Sequence, residues 1–445
     1  MLARMDPHLL KYAERQAPRY TSYPTAPHFG PEVDAALASA WLAALPADAR
    51  LALYVHVPYC KRICWYCGCN TNALHAGDSA DFCATLMDEI ELAAARSGAE
   101  RVSQLHWGGG TPNALSPDEF NRILHHLAFW FDFQPDLAHS IEIDPRYMSP
   151  ELANTYAGAG VTRASVGVQT LAPHVQDAIG RVQPYETIVA AIAALRDAGI
   201  GHLNFDLMYG LPHQSLDDLL HTIQLAAGLK PNRIALFGYA HVPWFKRRQR
   251  VISEASLPGA EARFDQAEAA RSALEALGYV HIGIDHYALL DDSLTRAAQA
   301  GALRRNFQGY VDSIPDAIVG FGPSAISTFP HGYVQNQTGI GAWRRAVDAR
   351  QMPAARGHSF SADDARRAAI IERLMCAFEV DLAPYGGRNA FLPEFAALAP
   401  LAADGLAVMQ GDRITIPERM RPFSRLIAQA FDAYAASPAQ HSRAI

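Results

Sequence analysis

Lysine is nearly missing from this chain of 445 residues: only Lys11, Lys61, Lys230 and Lys246 occur, so the positive charge rests on arginine. No excess of positive charge exists either, since 38 basic against 45 acidic residues leave a net −7. Without a basic field the chain has little to hold a polyanion by, which argues against general binding to nucleic acid or to an anionic membrane surface. Long apolar runs are also absent, and nothing approaches the roughly 18 residues that a membrane span needs. The opening MLARMDPHLLKYAERQ is charged and lacks the apolar segment of a secretory signal. A soluble, cytoplasmic protein is therefore expected. Repeats and low complexity are missing too, while half the residues are apolar and 19% charged, enough to bury one large core or two. The arginine bias suits bidentate capture of carboxylates, although genome base composition accounts for it equally well.

Between about 50 and 245 short β-rich runs alternate with helical patterns, the signature of βα units around a parallel sheet. Six runs read as strands: 51–57, 103–107, 140–144, 164–168, 203–209 and 234–240. Helix starts are marked by Ser116-Pro117-Asp118-Glu119, which joins an N-cap, a proline at the first turn and a capping-box glutamate, and by Ser149-Pro150-Glu151. Six such units fit either a doubly wound sheet or an incomplete barrel. The polar residues decide, because Glu142, Gln169, Asp206 and the Gly108-Gly109-Gly110 turn fall at the C-terminal ends of strands, where parallel barrels carry their active sites. The expected fold is thus α/β, a partial (βα)6 TIM-like barrel over 46–345. An N-terminal arm and helix (1–45) precede it, and a mainly helical C-terminal domain (346–445) follows. A helix is expected at about 259–277 and a strand at 281–289. The stretch 304–328 reads as loop-rich, and a short strand pair is expected within 405–416.

Cysteine is scarce, yet four of the six fall within ten residues, Cys60, Cys64, Cys67 and Cys69, directly after the first strand. In a chain with no export signal this reads as a metal site rather than a disulfide framework. The spacing C-x3-C-x2-C in one contiguous loop lets Cys60, Cys64 and Cys67 reach three corners of a cubane iron–sulfur cluster and leaves one iron open. An open iron can chelate the amine and carboxylate of S-adenosylmethionine. Cys69, separated from Cys67 by one glycine, is expected to point away from the cube. A four-cysteine zinc knuckle and a fully ligated electron-transfer cluster are the alternatives, and neither offers an exchangeable small molecule at the metal.

Other residues can serve a ligand. Tyr66 is placed to stack beside an adenine, with ordinary packing as its other use. Gly108-Gly109-Gly110-Thr111-Pro112 can bring backbone N–H groups close to a carboxylate, or merely end a strand. Glu142 can bind ribose hydroxyls or an amino group, or close a salt bridge. Gln169, Arg181 and Asp206 are single polar residues that can serve a ligand or simply pair within the fold, as can Asp144 and Asp285. The histidines are scattered, and Cys83 and Cys376 sit in apolar helical patterns, which suits buried, inert thiols.

The cysteine triad, its strand context and the glycine motif resemble the radical S-adenosylmethionine superfamily. A closer resemblance runs through PRYTSYPTAP (18–27), LYVHVPYCKRICWYCGCN (53–70), SQLHWGGGTPN (103–113), SIEIDPR (140–146), SVGVQT (165–170), NFDLMYGLP (204–212), YAHVPWFKRRQR (239–250), RNFQGY (305–310) and PSAIS (323–327). Together these are similar to the oxygen-independent coproporphyrinogen III oxidases over nearly the whole chain. The resemblance implies a [4Fe–4S] cluster on Cys60, Cys64 and Cys67 and two S-adenosyl-L-methionine molecules. Tyr54, Tyr66, Gly109, Glu142 and Ile326 match positions around the molecule on the cluster. Gly110, Thr111, Gln169, Arg181, Asp206 and Ala240 match positions around the second. Cys69 and Gln308 match positions on the substrate side. Trp65 and Asn113 stand at variable places, and Pro323 departs from the pattern just before Ile326.

The implied reaction converts two propionates of coproporphyrinogen III to vinyls, giving protoporphyrinogen IX for haem biosynthesis, with an electron donor and an electron acceptor left unidentified. A monomer is expected, since no heptad or interface stripe is evident. Three rivals compete: a haem chaperone on the same fold, which Cys69 and the arm weigh against, a haem-degrading methyltransferase, and a zinc-bearing structural protein.

Overall fold

The computed structural model describes residues 7–435, so the first six residues of the expected arm and the last ten of the tail lie outside the described residues. Six strands, Leu51–Val57, Arg101–Gly109, Asp132–Ile143, Arg163–Gln169, His202–Tyr209 and Arg233–Gly238, pair in parallel in chain order. Helices Asp78–Ala94, Pro117–Trp130, Pro150–Gly158, Tyr185–Asp197 and Leu216–Gly228 lie in the crossovers. Two helix starts follow the sequence signals. Ser116 and Glu119 close a reciprocal capping box, and the Ser149 hydroxyl accepts from the Leu152 N–H. Among these six the strand order never reverses, whereas a doubly wound sheet requires a reversal. Right-handed crossovers laid down in one direction put the helices on one face and leave the other face to curl inward, the topology of a partial barrel.

Side-chain alternation along these strands builds the interior. In Arg163–Gln169, Ala164, Val166 and Val168 are buried in the core, while Ser165, Gly167 and Gln169 line a cavity. In His202–Tyr209, Leu203, Phe205 and Leu207 are buried while Asp206 and Met208 face the same cavity.

The sheet continues beyond these six strands, to twelve. Ala317–Phe321 lies parallel against Leu51–Val57, followed outward by the antiparallel strands Ile326–Phe329, Gly332–Asn336 and Ala354–Ser359. On the far side His286–Leu289 and Tyr279–Ile282 add antiparallel strands next to Arg233–Gly238. Two expectations change as a result. The stretch read as loop-rich carries two strands of the main sheet and the hairpin Arg304–Asn306/Gly309–Val311. Residue 346 falls inside the helix Ile340–Asp348, and Ala354–Ser359 still belongs to the main sheet, so the helical tail opens only at Ala362–Cys376. The expected strand pair is present at Val408–Gln410 and Arg413–Thr415, with Glu379–Asp381 as a third strand. The arm packs on this tail: Leu9, Tyr12, Tyr20 and Tyr23 share a core with Ile370, Leu374, Phe423 and Phe431.

Glu89, fully buried on Asp78–Ala94, ties the added strands to the barrel. Its carboxylate accepts from the Gly322 N–H at 2.8 Å, Asn336 Nδ2 at 2.7 Å and Trp343 Nε1 at 2.9 Å. Burial pushes this carboxyl up to about 7 against those three donors. Glu89→Leu would strand all three donors, with an expected loss of about 2–3 kcal/mol in chemical denaturation. The raised folded-state value means that the folded wild type binds its proton more tightly than the unfolded chain does. Its stability therefore falls as pH rises from the ordinary carboxyl value of 4.5 towards 7, and the gap to the variant should be wider at about pH 5 than at about pH 8.

Candidate active site

Immediately after the first strand, Tyr59–Cys60 pairs with Asn72–Ala73 and pinches together the ends of the cysteine loop. Cys60 and Cys64 are buried, Cys67 is half-buried and Cys69 is exposed. All four line a cavity of about 420 Å³ at the C-terminal ends of the parallel strands. The sulfurs are surrounded by donors. Thr111 Oγ1 donates to Cys60 Sγ at 3.2 Å, and Thr71 Oγ1 lies 3.1 Å from the same atom. Arg181 Nη1 and Arg146 Nη2 donate to Cys64 Sγ at 3.5 and 3.6 Å. The Cys69 N–H donates to Cys67 Sγ at 3.3 Å. Hydrogen bonding from Cys69, against the cost of burial, draws the Cys67 thiol down to about 6, with help from the charges of Arg248 and Lys246. Burial moves Cys60 the other way, partly offset by its two threonines.

Such an environment suits anionic sulfur, and the residues fit an iron–sulfur cluster: three thiols on one loop, flanked by two guanidiniums and two hydroxyls. Among the described residues no three His, Cys, Asp or Glu side chains converge as they would on a single metal ion. Thiolates that each reach a different iron of a polynuclear cluster need no such convergence.

Asp144 orders the guanidiniums, bound by Arg146 Nη2 at 2.7 Å and by Arg181 Nη1 at 3.1 Å. Burial opposes its charge, but the two arginines outweigh burial and hold the carboxyl below its ordinary range.

At the end of the second strand, Gly109 has φ +109°, and a Cβ there would meet the His56 ring at 2.8 Å. A Cβ on Gly110 would meet Thr71 Oγ1 at 2.4 Å, so the segment requires glycine for close approach. The backbone N–H groups expected to be free for an anion are occupied. Gly109 donates to Glu142 Oε2 at 3.2 Å, and Gly110 donates to the Val57 carbonyl at 2.7 Å. Glu142, with 44% of its side chain exposed, therefore presents a carboxylate anchored from behind, with His106 Nε2 3.4 Å from Oε1. Tyr54 stacks on His106 with centroids 5.8 Å apart. His56 Nε2 faces the Asn70 carbonyl at 2.9 Å, an acceptor only, so Nε2 carries the proton and Nδ1 accepts from Tyr54 Oη at 3.0 Å.

Asp206 accepts from Ser165 Oγ at 3.0 Å and Asn204 Nδ2 at 2.9 Å. Burial first, then the charge of Glu142, pushes its carboxyl up to about 6. Gln169 holds φ +65° beside a register shift in its strand, a strained backbone at the cavity wall.

The structure thus brings Cys60, Cys64, Tyr66, Cys67, Cys69, Gly109, Gly110, Thr111, Glu142, Gln169, Arg181, Asp206 and Ala240 onto one cavity. Tyr54 stands behind this wall, where its ring edge and Glu142 both crowd Gly108. Two expected residues lie off the wall. Ile326 opens an added strand opposite Gln335, and Gln308 is exposed at the tip of the Arg304–Val311 hairpin. Sequence reasoning missed the segment that ties down the cysteine loop. Lys246 Nζ donates to the Cys69 carbonyl at 3.3 Å, Arg248 Nη2 to the Thr71 carbonyl at 3.1 Å, and Gln249 Nε2 to the Tyr66 carbonyl at 2.7 Å. Arg19, from the arm, also reaches the cavity and donates to the Gly238 carbonyl at 2.7 Å. Their only signal was membership of the quoted motifs, which names a segment without saying which side chain turns inward.

The radical SAM superfamily model matches residues 54–226. An oxygen-independent coproporphyrinogen III oxidase of Bradyrhizobium diazoefficiens is 44% identical, covering 98% of this chain and 99% of the relative. One of Paracoccus denitrificans is 41% identical, covering 97% of each. The solved structure of coproporphyrinogen III oxidase (HemN) from Escherichia coli, described as a radical SAM enzyme, superposes with a TM-score of 0.90 at 34% identity, covering 98% of this chain and 100% of that one.

Proposed function

Since the chain belongs to the family of oxygen-independent coproporphyrinogen III oxidases, radical S-adenosylmethionine enzymes with a [4Fe–4S] cluster, we propose that its cavity converts two propionates of coproporphyrinogen III to vinyls. The product is protoporphyrinogen IX. The observation that carries this reading is the convergence of the thiol triad, the glycine turn and the Glu142 and Asp206 carboxylates on one cavity. The relatives carry oxidase names, which favours this reading over the haem chaperone.

Cys60, Cys64 and Cys67 would hold the cluster, with Thr111, Thr71, Arg146 and Arg181 donating to the sulfurs. When bound and reduced, the cluster and S-adenosylmethionine would supply the radical chemistry that removes a propionate β-hydrogen, the carboxylate leaving as CO2 and the remaining electron passing to the separate acceptor. Glu142, fixed by the Gly109 N–H, would accept from the methionine amino group or the ribose hydroxyls, and Tyr66 would flank the adenine. Tyr54 backs Glu142, and Ile326, although it lies off the cavity wall, would border the same molecule from the added strand. A second S-adenosylmethionine would rest on Gly110, Thr111, Gln169, Arg181, Asp206 and Ala240. Cys69, exposed beside the cluster loop, would face the substrate, and Gln308, off the cavity wall at its hairpin tip, would approach it from outside the cavity. The enzyme acts as a cytoplasmic monomer with a separate electron donor and acceptor. No helix among the described residues is long and apolar enough to cross a membrane.

The decisive experiment is an anaerobic incubation of reconstituted protein with reductant, S-adenosylmethionine and coproporphyrinogen III. Vinyl product with matching 5′-deoxyadenosine supports the assignment, and deoxyadenosine without vinyl product overturns the substrate. Cys69→Ser is expected to keep its full iron content while losing at least tenfold in vinyl formation. Loss of iron in that variant would mean that Cys69 belongs to the ligand set.

A further inference from the structure

The segment that ties down the cysteine loop also has an outer face. Residues 57–77, which carry the four clustered cysteines, and residues 239–253 together hold six basic residues, Lys61, Arg62, Lys246, Arg247, Arg248 and Arg250, and no Asp or Glu. On a chain of net −7 this is a local reversal of sign. Lys246 and Arg248 turn inward, onto the Cys69 and Thr71 carbonyls. Arg62, Arg247 and Arg250 are exposed and form no ion pair among the described residues.

Apolar side chains stand among these charges. Phe245 is 73% exposed, Val251 60% and Trp244 48%, three large apolar residues left uncovered within eight positions. Aromatic residues and arginine are the types that protein interfaces concentrate. Phe245, Arg247, Arg250 and Val251 lie off the wall of the cluster cavity, so a substrate seated at the sulfurs would not meet them.

The patch borders the loop on which the thiols sit. Lys246 Nζ lies 4.9 Å from the centre of the Phe245 ring while it donates to the Cys69 carbonyl, and Gln249 holds the Tyr66 carbonyl from the same segment. Gly68 and Cys69 are themselves exposed, so the loop reaches the surface beside Cys67. The reaction proposed above needs an electron delivered to a cluster on this loop, and electron transfer weakens steeply with distance. Charge selects the carrier. An acidic protein, repelled by the net charge of the chain, is attracted and oriented by Arg247 and Arg250 at this one border of the loop. A two-fold dimer through the same face would instead set these arginines against their own copies.

We propose that Trp244, Phe245, Arg247, Arg250 and Val251 form the docking surface for a small acidic one-electron carrier protein, which is oxidised by one electron as the cluster is reduced by one. The proposal rests on the radical S-adenosylmethionine reading above and gives its electron donor a class and a place. Reconstituted enzyme would be titrated calorimetrically with oxidised flavodoxin, an acidic flavin protein, and with an acidic ferredoxin. Arg247→Glu/Arg250→Glu is expected to weaken carrier binding about tenfold or more at low salt, and Phe245→Ala about fivefold, with iron content unchanged. Added salt should weaken the wild type and shrink the difference from the charge variant. With limiting reduced carrier as the sole donor, 5′-deoxyadenosine formation should fall by similar factors. With dithionite, which is too small to need the surface, the variants should match the wild type. Failure of both carriers to bind the wild type, or equal affinity in the folded variants, overturns the docking surface alone. So does a wild-type dimer that the same substitutions split, or binding to phosphatidylglycerol vesicles in place of the carriers. A cluster-loaded wild type that forms no 5′-deoxyadenosine even with dithionite overturns the radical reading and the docking surface with it.

Discussion

Cys64→Ser is expected to give a folded protein that holds no complete cluster, forms no 5′-deoxyadenosine and makes no vinyl product. Cys64 is the middle member of the triad and only 6% exposed, so no solvent ligand can readily take its place. A serine hydroxyl has far too high a pKa to ionise where a thiol does, and its oxygen is a poor substitute for the thiolates that hold these clusters. Folding should survive, because Arg146 and Arg181 keep Asp144 when the sulfur is lost. The substitution then removes one weak N–H···S contact from each guanidinium. Iron and sulfide content after anaerobic reconstitution, together with deoxyadenosine yield, checks this. A variant with full iron and full turnover would show that the triad is not the ligand set.

That triad was legible because its chemistry is local: three thiols on one loop announce a cluster wherever the rest of the chain goes. The parallel strands were legible for a similar reason. Ala164, Val166 and Val168 alternate with Ser165, Gly167 and Gln169 within a single strand. The strand Ala317–Phe321 gave no such cue. Its residues are all buried in a short run followed by the Gly322-Pro323 break, and its partner, Leu51–Val57, is more than 260 positions away. Ala354–Ser359, AARGHS, has no apolar alternation at all and is a strand because Gly332–Asn336 offers it an edge. The same distinction divides the site. Glu142 could be picked out at its strand end, but the Gly109 N–H that fixes it lies 33 residues away, and Arg19 comes to the cavity from an arm that packs on the tail. Contacts between segments distant in sequence are set by packing, and periodicity carries no trace of them.

That long-range packing brings Arg181 onto Asp144 beside its neighbour Arg146, and Asp144→Ala is expected to cost about 3–5 kcal/mol in chemical denaturation, as removal of one member of a buried ion group does. Its carboxylate is 6% exposed, and the side chains of Arg146 and Arg181 are 9% and 8% exposed. Alanine would leave two buried guanidiniums side by side with no carboxylate, only the Cys64 sulfur and, for Arg181, the Gly167 carbonyl as acceptors. Part of the loss should return in Asp144→Ala/Arg146→Ala, which removes one uncompensated charge, and the recovery measures the coupling. The pH dependence has the opposite sense to that of Glu89. Asp144 is held below its ordinary range, so its contribution is fully present above the ordinary value of 3.8 and is lost as pH falls through the lower folded value. Between about pH 5 and pH 8 the gap between wild type and Asp144→Ala should therefore stay flat, where the Glu89→Leu gap narrows, and it should close only in acid. A loss below about 1 kcal/mol would place the pair in the range of exposed salt bridges. It would mean that water in the cavity, not Asp144, satisfies the two arginines beside the cluster loop.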